Sequence, residues 1–285
     1  IEFLKDFSVP ITADLFGGTQ APGQVTARGD IKQRYAPLPD LDLCVMNPPF
    51  TRSVGGNLLF GSLPEAERGP MQRDLSRLLQ RPAPPIYASS TAGLGSVFTA
   101  LGDFHLKPGG RMALVLPKAL LSGVAWQQTR HLFRIRYQLE YLIASHDPDR
   151  WNFSENTSLS EVLVLARKLE TPKAANGDDS KVVCLNLWRN PTTVFEALAI
   201  AHALYRDGPP DIEEGQGALE IFMGDKKFGE AVSVPWAGIR DGLWIGPCAF
   251  AQSDLLRVAH HLVQGRLFLP GYGPVGNVPL CALGH

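Results

Sequence analysis

Four consecutive residues, Asn47-Pro48-Pro49-Phe50, place an amide, two backbone constraints and an aromatic face directly after the apolar run Leu41 to Met46. Asn47 carries an amide oxygen that accepts and an amide nitrogen that donates. Neither proline has an N–H, so the chain must leave its strand at Asn47, and the Pro48 carbonyl can be aimed at a ligand. Phe50 adds a flat apolar surface. Two acceptors beside a stacking ring suit a planar heterocycle with an exocyclic amine. The acceptors take the amine's N–H groups, raise electron density on its nitrogen and orient its lone pair. Such an amine attacks an electrophilic methyl donor without first losing a proton, so no strong general base is required. An ordinary strand-ending turn can have the same spelling, so the neighbouring elements decide.

Other chemistry-bearing residues make a weaker case. The seven histidines, His105, His131, His146, His202, His260, His261 and His285, show no ligand spacing with Cys, Asp or Glu, and no metal site is expected. The serines of "YASSTAGLGS" lack a G-x-S-x-G elbow, which argues against a hydrolase. Cys44, Cys184, Cys248 and Cys281 form no C-x-x-C pair, and Cys44 inside an apolar run reads as a small buried thiol. Arg130, Arg134 and Arg136, with His131 and Lys118, form the densest basic helix; a solvated face is favoured there over phosphate contact.

The elements that must position Asn47 alternate between strand and helix. "LDLCVM" is short, apolar and without alternation, as in a buried parallel strand. A short helix is predicted over Glu65 to Gln80, and the spacing of Leu94, Val97, Phe98 and Leu101 predicts another. "KPGG" turns the chain into a second strand, "RMALVLP", and an amphipathic helix is predicted from Lys118 to Ile135. "YQLEYLIASH", "LSEVLVLARK" and "KVVCLNLW" read as further strands, and "TVFEALAIAHALY" and Ser253 to Gln264 as helices. "ETPKAANGDDSK" is a polar loop, and from Asp207 the chain is Gly- and Pro-rich and less regular. This alternation predicts an open α/β sheet through roughly the first 170 residues.

With 285 residues the chain is long enough for one large domain or a domain with an appendage. A net charge of -1 gives no global electrostatic case for nucleic-acid binding, so such binding must come from local patches. There is no apolar run of membrane-spanning length and no signal-peptide pattern; a cytoplasmic setting is the expectation. Beginning on Ile1 and ending on "VPLCALGH", the chain reads as a fragment of something larger.

"NPPF" after an apolar strand resembles the [D/N/S]-P-P-[Y/F/W] motif of class I, S-adenosylmethionine-dependent amino-methyltransferases, above all the N6-adenine DNA methyltransferases. The resemblance implies that Asn47 and the Pro48 carbonyl hold the target amine, with Pro49 fixing the backbone. It implies too that Phe50 stacks on an adenine flipped out of the duplex. It assigns Asp30, seventeen positions ahead of Asn47, to the cofactor's adenine amine. "LKPGGRMALVLP" is similar to the family's fifth strand with its Gly-Gly turn, and "WNFSENTSLSEVLVLARK" to the region where an aromatic precedes the reversed last strand. Phe153 is the candidate for a second ring at the base, with Trp151 and plain core packing as competing readings. The order of these features, over Val25 to Lys168, is that of the γ-type enzymes, which include type I modification subunits and fused type II enzymes.

The resemblance implies a Rossmann-like class I methyltransferase sheet, present in part, with a C-terminal mixed and less regular extension. Residues 1–170 would be the C-terminal part of the catalytic domain, and 171–285 a linker and the start of a target-recognition region. It implies S-adenosyl-L-methionine as cofactor and DNA as partner, with a specificity or nuclease subunit or domain of the parent protein, and no membrane. One departure stands out. The family's F-x-G-x-G motif should lie well upstream of Asp30, and Leu15-Phe16-Gly17-Gly18 is too close to leave room for a helix and a second strand. That stretch reads as a loop, so half of the cofactor site is expected to be missing and the chain not to methylate alone. The motif also serves methylation of rRNA guanine amines and of protein glutamine amides, and a non-catalytic scaffold piece of a restriction system is the reading from another class.

Overall fold

The computed structural model describes residues 8–11, 34–37, 40–50, 64–80, 85–150, 152–154, 160–171, 180–213, 217–241 and 244–263. Asp30, Trp151, Cys281 and the Gly17-Gly18 pair lie outside them. A small antiparallel pair, β1 (Ser8–Ile11) and β2 (Arg34–Pro37), precedes the main sheet. Apolar runs cut by glycine, proline and charge then give β3 (Leu41–Met46), β4 (Leu106–Pro117), β5 (Tyr137–Ser145), β6 (Glu161–Lys168), β7 (Lys181–Leu187), β8 (Leu219–Met223) and β9 (Lys226–Pro235). The helices are α1 (Glu65–Leu79), α2 (Leu94–His105), α3 (Gln127–Arg136), α4 (Val194–Asp207), α5 (Trp236–Asp241), α6 (Gly246–Ala249) and α7 (Ser253–Val263).

Seven strands form one sheet in the order β3-β4-β6-β5-β7-β9-β8. β3 runs parallel to β4, and β5 parallel to β7. β6 lies antiparallel between β4 and β5, with Ala166 opposite both Met112 and Leu139. "EVLVLARK" is therefore the reversed strand that the sequence resemblance implies. The chain is an α/β protein whose described sheet is Rossmann-like in part, with one reversed strand between β4 and β5. The sheet runs on across the boundary expected at 170/171, because β7 pairs with β5 and β9 pairs with β7. The β8–β9 hairpin turns at Gly224 and Asp225, with Gly224 at φ 59°, where a side chain would be strained.

Three expectations are corrected. β3 is an edge strand among the described residues rather than a buried one: Cys44 is buried, but Leu43 and Val45 are 58% and 69% exposed. The helix predicted over Lys118 to Ile135 breaks into two 3-10 turns, Lys118–Leu121 and Val124–Trp126, followed by α3. Arg130 explains how the break is tolerated, because its guanidinium donates to the carbonyls of Leu120 and Gly123 at 2.7 and 2.9 Å. Finally, α2 buries Gly95, Ser96, Thr99, Gly102 and Asp103, whereas Leu94, Val97, Phe98 and Leu101 are half-buried. Small residues let the helix lie close on the sheet: a Cβ on Gly102 would come within 3.0 Å of Met46 Cε and 3.1 Å of Cys44 Sγ.

The main core gathers Leu114, Leu116, Leu142 and Val164 of the sheet with Phe133 of α3 and Trp236 of α5. A second cluster, on Leu185, Leu187, Ile200, Leu204 and Phe228, packs α4 on the far strands. At the amino end of β4, the buried Asp103 carboxylate meets Arg136 Nη1 at 2.5 Å, the Tyr137 hydroxyl at 2.9 Å and Lys168 Nζ at 3.3 Å. Arg136 also lies 5.3 Å from the Tyr87 ring centroid. Two cations of the basic cluster, Arg130 and Arg136, are thus occupied in holding the fold.

Candidate active site

Asn47 follows the last residue of β3, so the amide stands outside the carboxyl end of the sheet, the place where open α/β sheets hold ligands. Pro48 is buried, Phe50 half-buried, and Asn47 and Pro49 are exposed. The turn is thereby anchored through its first proline, with the amide and the ring left accessible. Lys118, which follows β4, takes up the same edge, and its main-chain N–H donates to the Ser160 carbonyl at 2.7 Å.

The chain between β5 and β6 comes back to Asn47 from the other side. Asn47 Nδ2 donates to Ser154 Oγ at 2.9 Å, joining positions 107 residues apart. Its loop is fixed at several points. Asp147 accepts from the N–H groups of Asp149 and Arg150 at 3.0 and 3.2 Å, as an Asx turn does. From beyond β7, Asn190 donates from Nδ2 to the carbonyls of Arg150 and Asn152 at 2.5 and 3.0 Å. Glu161, the first residue of β6 and opposite Pro117, accepts on one oxygen from the N–H groups of Phe153 and Ser154 at 2.6 and 2.8 Å. A carboxylate acceptor makes such bonds about twice as strong as neutral ones.

The structure therefore brings Asn47, Pro48, Pro49 and Phe50 beside the loop carrying Phe153. Phe153 itself is half-buried and packs against the cluster on Leu185, Leu187 and Phe228, so one side of its ring serves the core. Sequence reasoning missed Ser154, Glu161 and Asn190. The one signal for Glu161 is an acid heading the apolar run "VLVLA".

Electrostatics at this edge are set by burial and by Lys118. Burial, and secondly the Lys118 ammonium, lower the basicity of His146. Asn186 donates through Nδ2 to the Pro247 carbonyl, so its oxygen faces His146 Nε2 at 3.0 Å and fixes the proton on that nitrogen. Burial pushes the thiols of Cys44, Cys184 and Cys248 up, the last to about 12, which makes all three poor nucleophiles. A groove of about 800 Å³ continues the edge past this loop, bordered by Asp147, Arg150, Trp188, Asn190 and Lys226. Asp30, the residue assigned to the cofactor, lies outside the described residues. The geometry therefore bears on the residues around Asn47 and not on Asp30.

No family model matches the chain, and no curated relative does. Among solved structures it is similar to a modification subunit of a putative type I restriction enzyme from Vibrio vulnificus YJ016, at 19% identity over 53% of this chain and a TM-score of 0.32. It is similar to the type IIG restriction endonuclease BpuSI at 13% identity over 81% of this chain and a TM-score of 0.44. The M protein of the type I restriction enzyme EcoKI matches at 17% identity over 52% of this chain, with a TM-score of 0.34. The chain spans 26%, 23% and 26% of the length of those three proteins. A mixed α/β sheet, Rossmann-like in part and with the reversed strand β6 between β4 and β5, is the architecture of the described residues.

Proposed function

We propose that the chain supplies the target-amine half of an S-adenosylmethionine-dependent methyltransferase that acts on adenine N6 in DNA. The observation that carries this reading is the 2.9 Å bond from Asn47 to Ser154, which seats the Asn-Pro-Pro-Phe turn against the loop of Phe153. With Nδ2 engaged, Asn47 turns its amide oxygen to the target, and that oxygen and the Pro48 carbonyl accept the two N–H bonds of the amine. Phe50, half-buried and rigidly led by two prolines, stacks on the flipped base. The accessible side of Phe153 is assigned to the opposite wall. When bound, S-adenosylmethionine would supply an electrophilic methyl group on its sulfonium; Asn47 and the Pro48 carbonyl would hold the amine for it, and the amine's surplus proton would pass to water after transfer. Asp30 is assigned to the cofactor's adenine. A specificity or nuclease subunit or domain is the partner proposed for the remainder of such a system.

The test is transfer of radiolabelled methyl groups by the full protein to unmethylated DNA, with ribosomal RNA and release factors as competing substrates. DNA is expected to be labelled at adenine N6, and Asn47→Ala to lower the rate at least about 100-fold, as loss of one preorganised charge-stabilising group does. Label on guanine amines or on glutamine transfers the reading to those substrates. Full activity in Asn47→Ala overturns the assignment of the motif.

A further inference from the structure

Glu161 combines two properties that the reading above leaves unused. The residue is 1% exposed, and no cation lies at ion-pair distance among the described residues. A buried carboxylate is costly unless its hydrogen bonds repay the desolvation. Here two consecutive backbone N–H groups, Phe153 and Ser154, bond Oε2, while Oε1 has no hydrogen-bond partner among the described residues. The second of those residues is the one whose hydroxyl oxygen receives Asn47 Nδ2. A buried anion, a short loop and the amide of the turn thus form one chain of hydrogen bonds, each at 2.9 Å or less.

We infer that Ser154 and Glu161 are positioning residues for Asn47. Resting on the methyltransferase reading, the inference adds how the amide is held in place. An asparagine amide at a strand end can rotate by half a turn and present its NH2 group in place of its oxygen. A target amine would then meet a donor, and both groups would be repelled. Ser154 Oγ, held through its own main-chain N–H on Glu161, accepts from Nδ2 and leaves the oxygen outward; because a hydroxyl can also donate, what it fixes is the place of the amide at the strand end. Both residues act through Asn47 and touch neither base nor cofactor.

The experiment uses the full protein, labelled S-adenosylmethionine and unmethylated DNA, with kcat and KM measured separately. Ser154→Ala is expected to lower kcat about five- to tenfold, the worth of one hydrogen bond, with KM for DNA and cofactor unchanged. Ser154→Thr, which keeps the hydroxyl, restores kcat. Glu161→Gln keeps a carbonyl acceptor for both N–H groups and holds kcat within about twofold, whereas Glu161→Ala falls as far as Ser154→Ala. In an Asn47→Ala background, Ser154→Ala produces no further loss. Wild-type kcat in Ser154→Ala, or an independent loss in the Asn47→Ala background, overturns the inference while leaving the methyltransferase reading in place. Absence of any transfer to DNA by the unaltered protein overturns both.

Discussion

Two carboxylates are buried at opposite ends of the same sheet, and their partners differ in kind. Asp103, at the amino end of β4, is met by a guanidinium, an ammonium and a phenol, so its charge is neutralised by side chains from α3, β5 and β6. Glu161, at the carboxyl end, is met by the backbone of a loop. Charge paired with charge ties large elements together, whereas an anion bonded to peptide N–H groups shapes a few residues of chain. The first end is built to hold the fold and the second to hold a geometry.

That difference can be broken by substitution, and the largest effect belongs to the amino end. Asp103→Ala leaves Arg136 and Lys168 partly buried without their partner and is expected to cost about 3–5 kcal/mol, read from urea unfolding. A cost below about 1 kcal/mol would erase the contrast. Second comes Asn47→Ala, an exposed residue whose loss should reduce methyl transfer by about 100-fold, nearly 3 kcal/mol in barrier, and leave the unfolding midpoint in place. Third is Glu161→Gln, which keeps the acceptor and is expected to change stability by no more than about 1 kcal/mol. A loss as large as that of Asp103→Ala would make the two ends alike.

Acid sharpens the comparison with the smallest effect, since a histidine sits at each end. His105 is lowered by burial against a weaker upward pull from Asp40, and His146 by burial and Lys118. His131, lowered by burial and then by Arg134, adds to the amino side. With folded values below the ordinary one, the unfolded chain takes up protons first. Stability is therefore full above about pH 6.5, declines as pH falls through that value and levels off below the folded-state values. Thermal midpoints are expected to drop between pH 7 and pH 5.5, and His146→Gln to flatten part of that slope. A midpoint that rises on acidification would reverse the sign assigned to these groups.

Much of the sheet was legible because its strands are apolar runs with strong stops. Pro48 ends β3 after Met46, and "EVLVLARK" needs no context to read as a strand. The contact face of α2 was not, because Gly95, Ser96, Thr99 and Gly102 carry little hydrophobic signal and pack by closeness instead. β8 and β9 were missed for a related reason: "LEIFMGDKKFGEAVSVP" mixes charge into both strands, and Lys227 with Glu230 is balanced only after folding. In the site, Asn47 to Phe50 stood out by spelling. Ser154 and Glu161 did not, because their roles depend on a contact made across 107 residues.

Strand β6 has a consequence in time. It lies between β4 and β5 although both precede it in the chain. During synthesis, with the amino-terminal side emerging first, β4 and β5 have no direct ladder to form, and a slot one strand wide must stay open for residues 161–168. Until Lys168 arrives, Asp103 lacks one of its two cations, and the Glu161 carboxylate is not in place to hold the Ser154 loop beside Asn47. A single late insertion thus completes both ends of the sheet together, and a chain stalled short of it carries two separate halves.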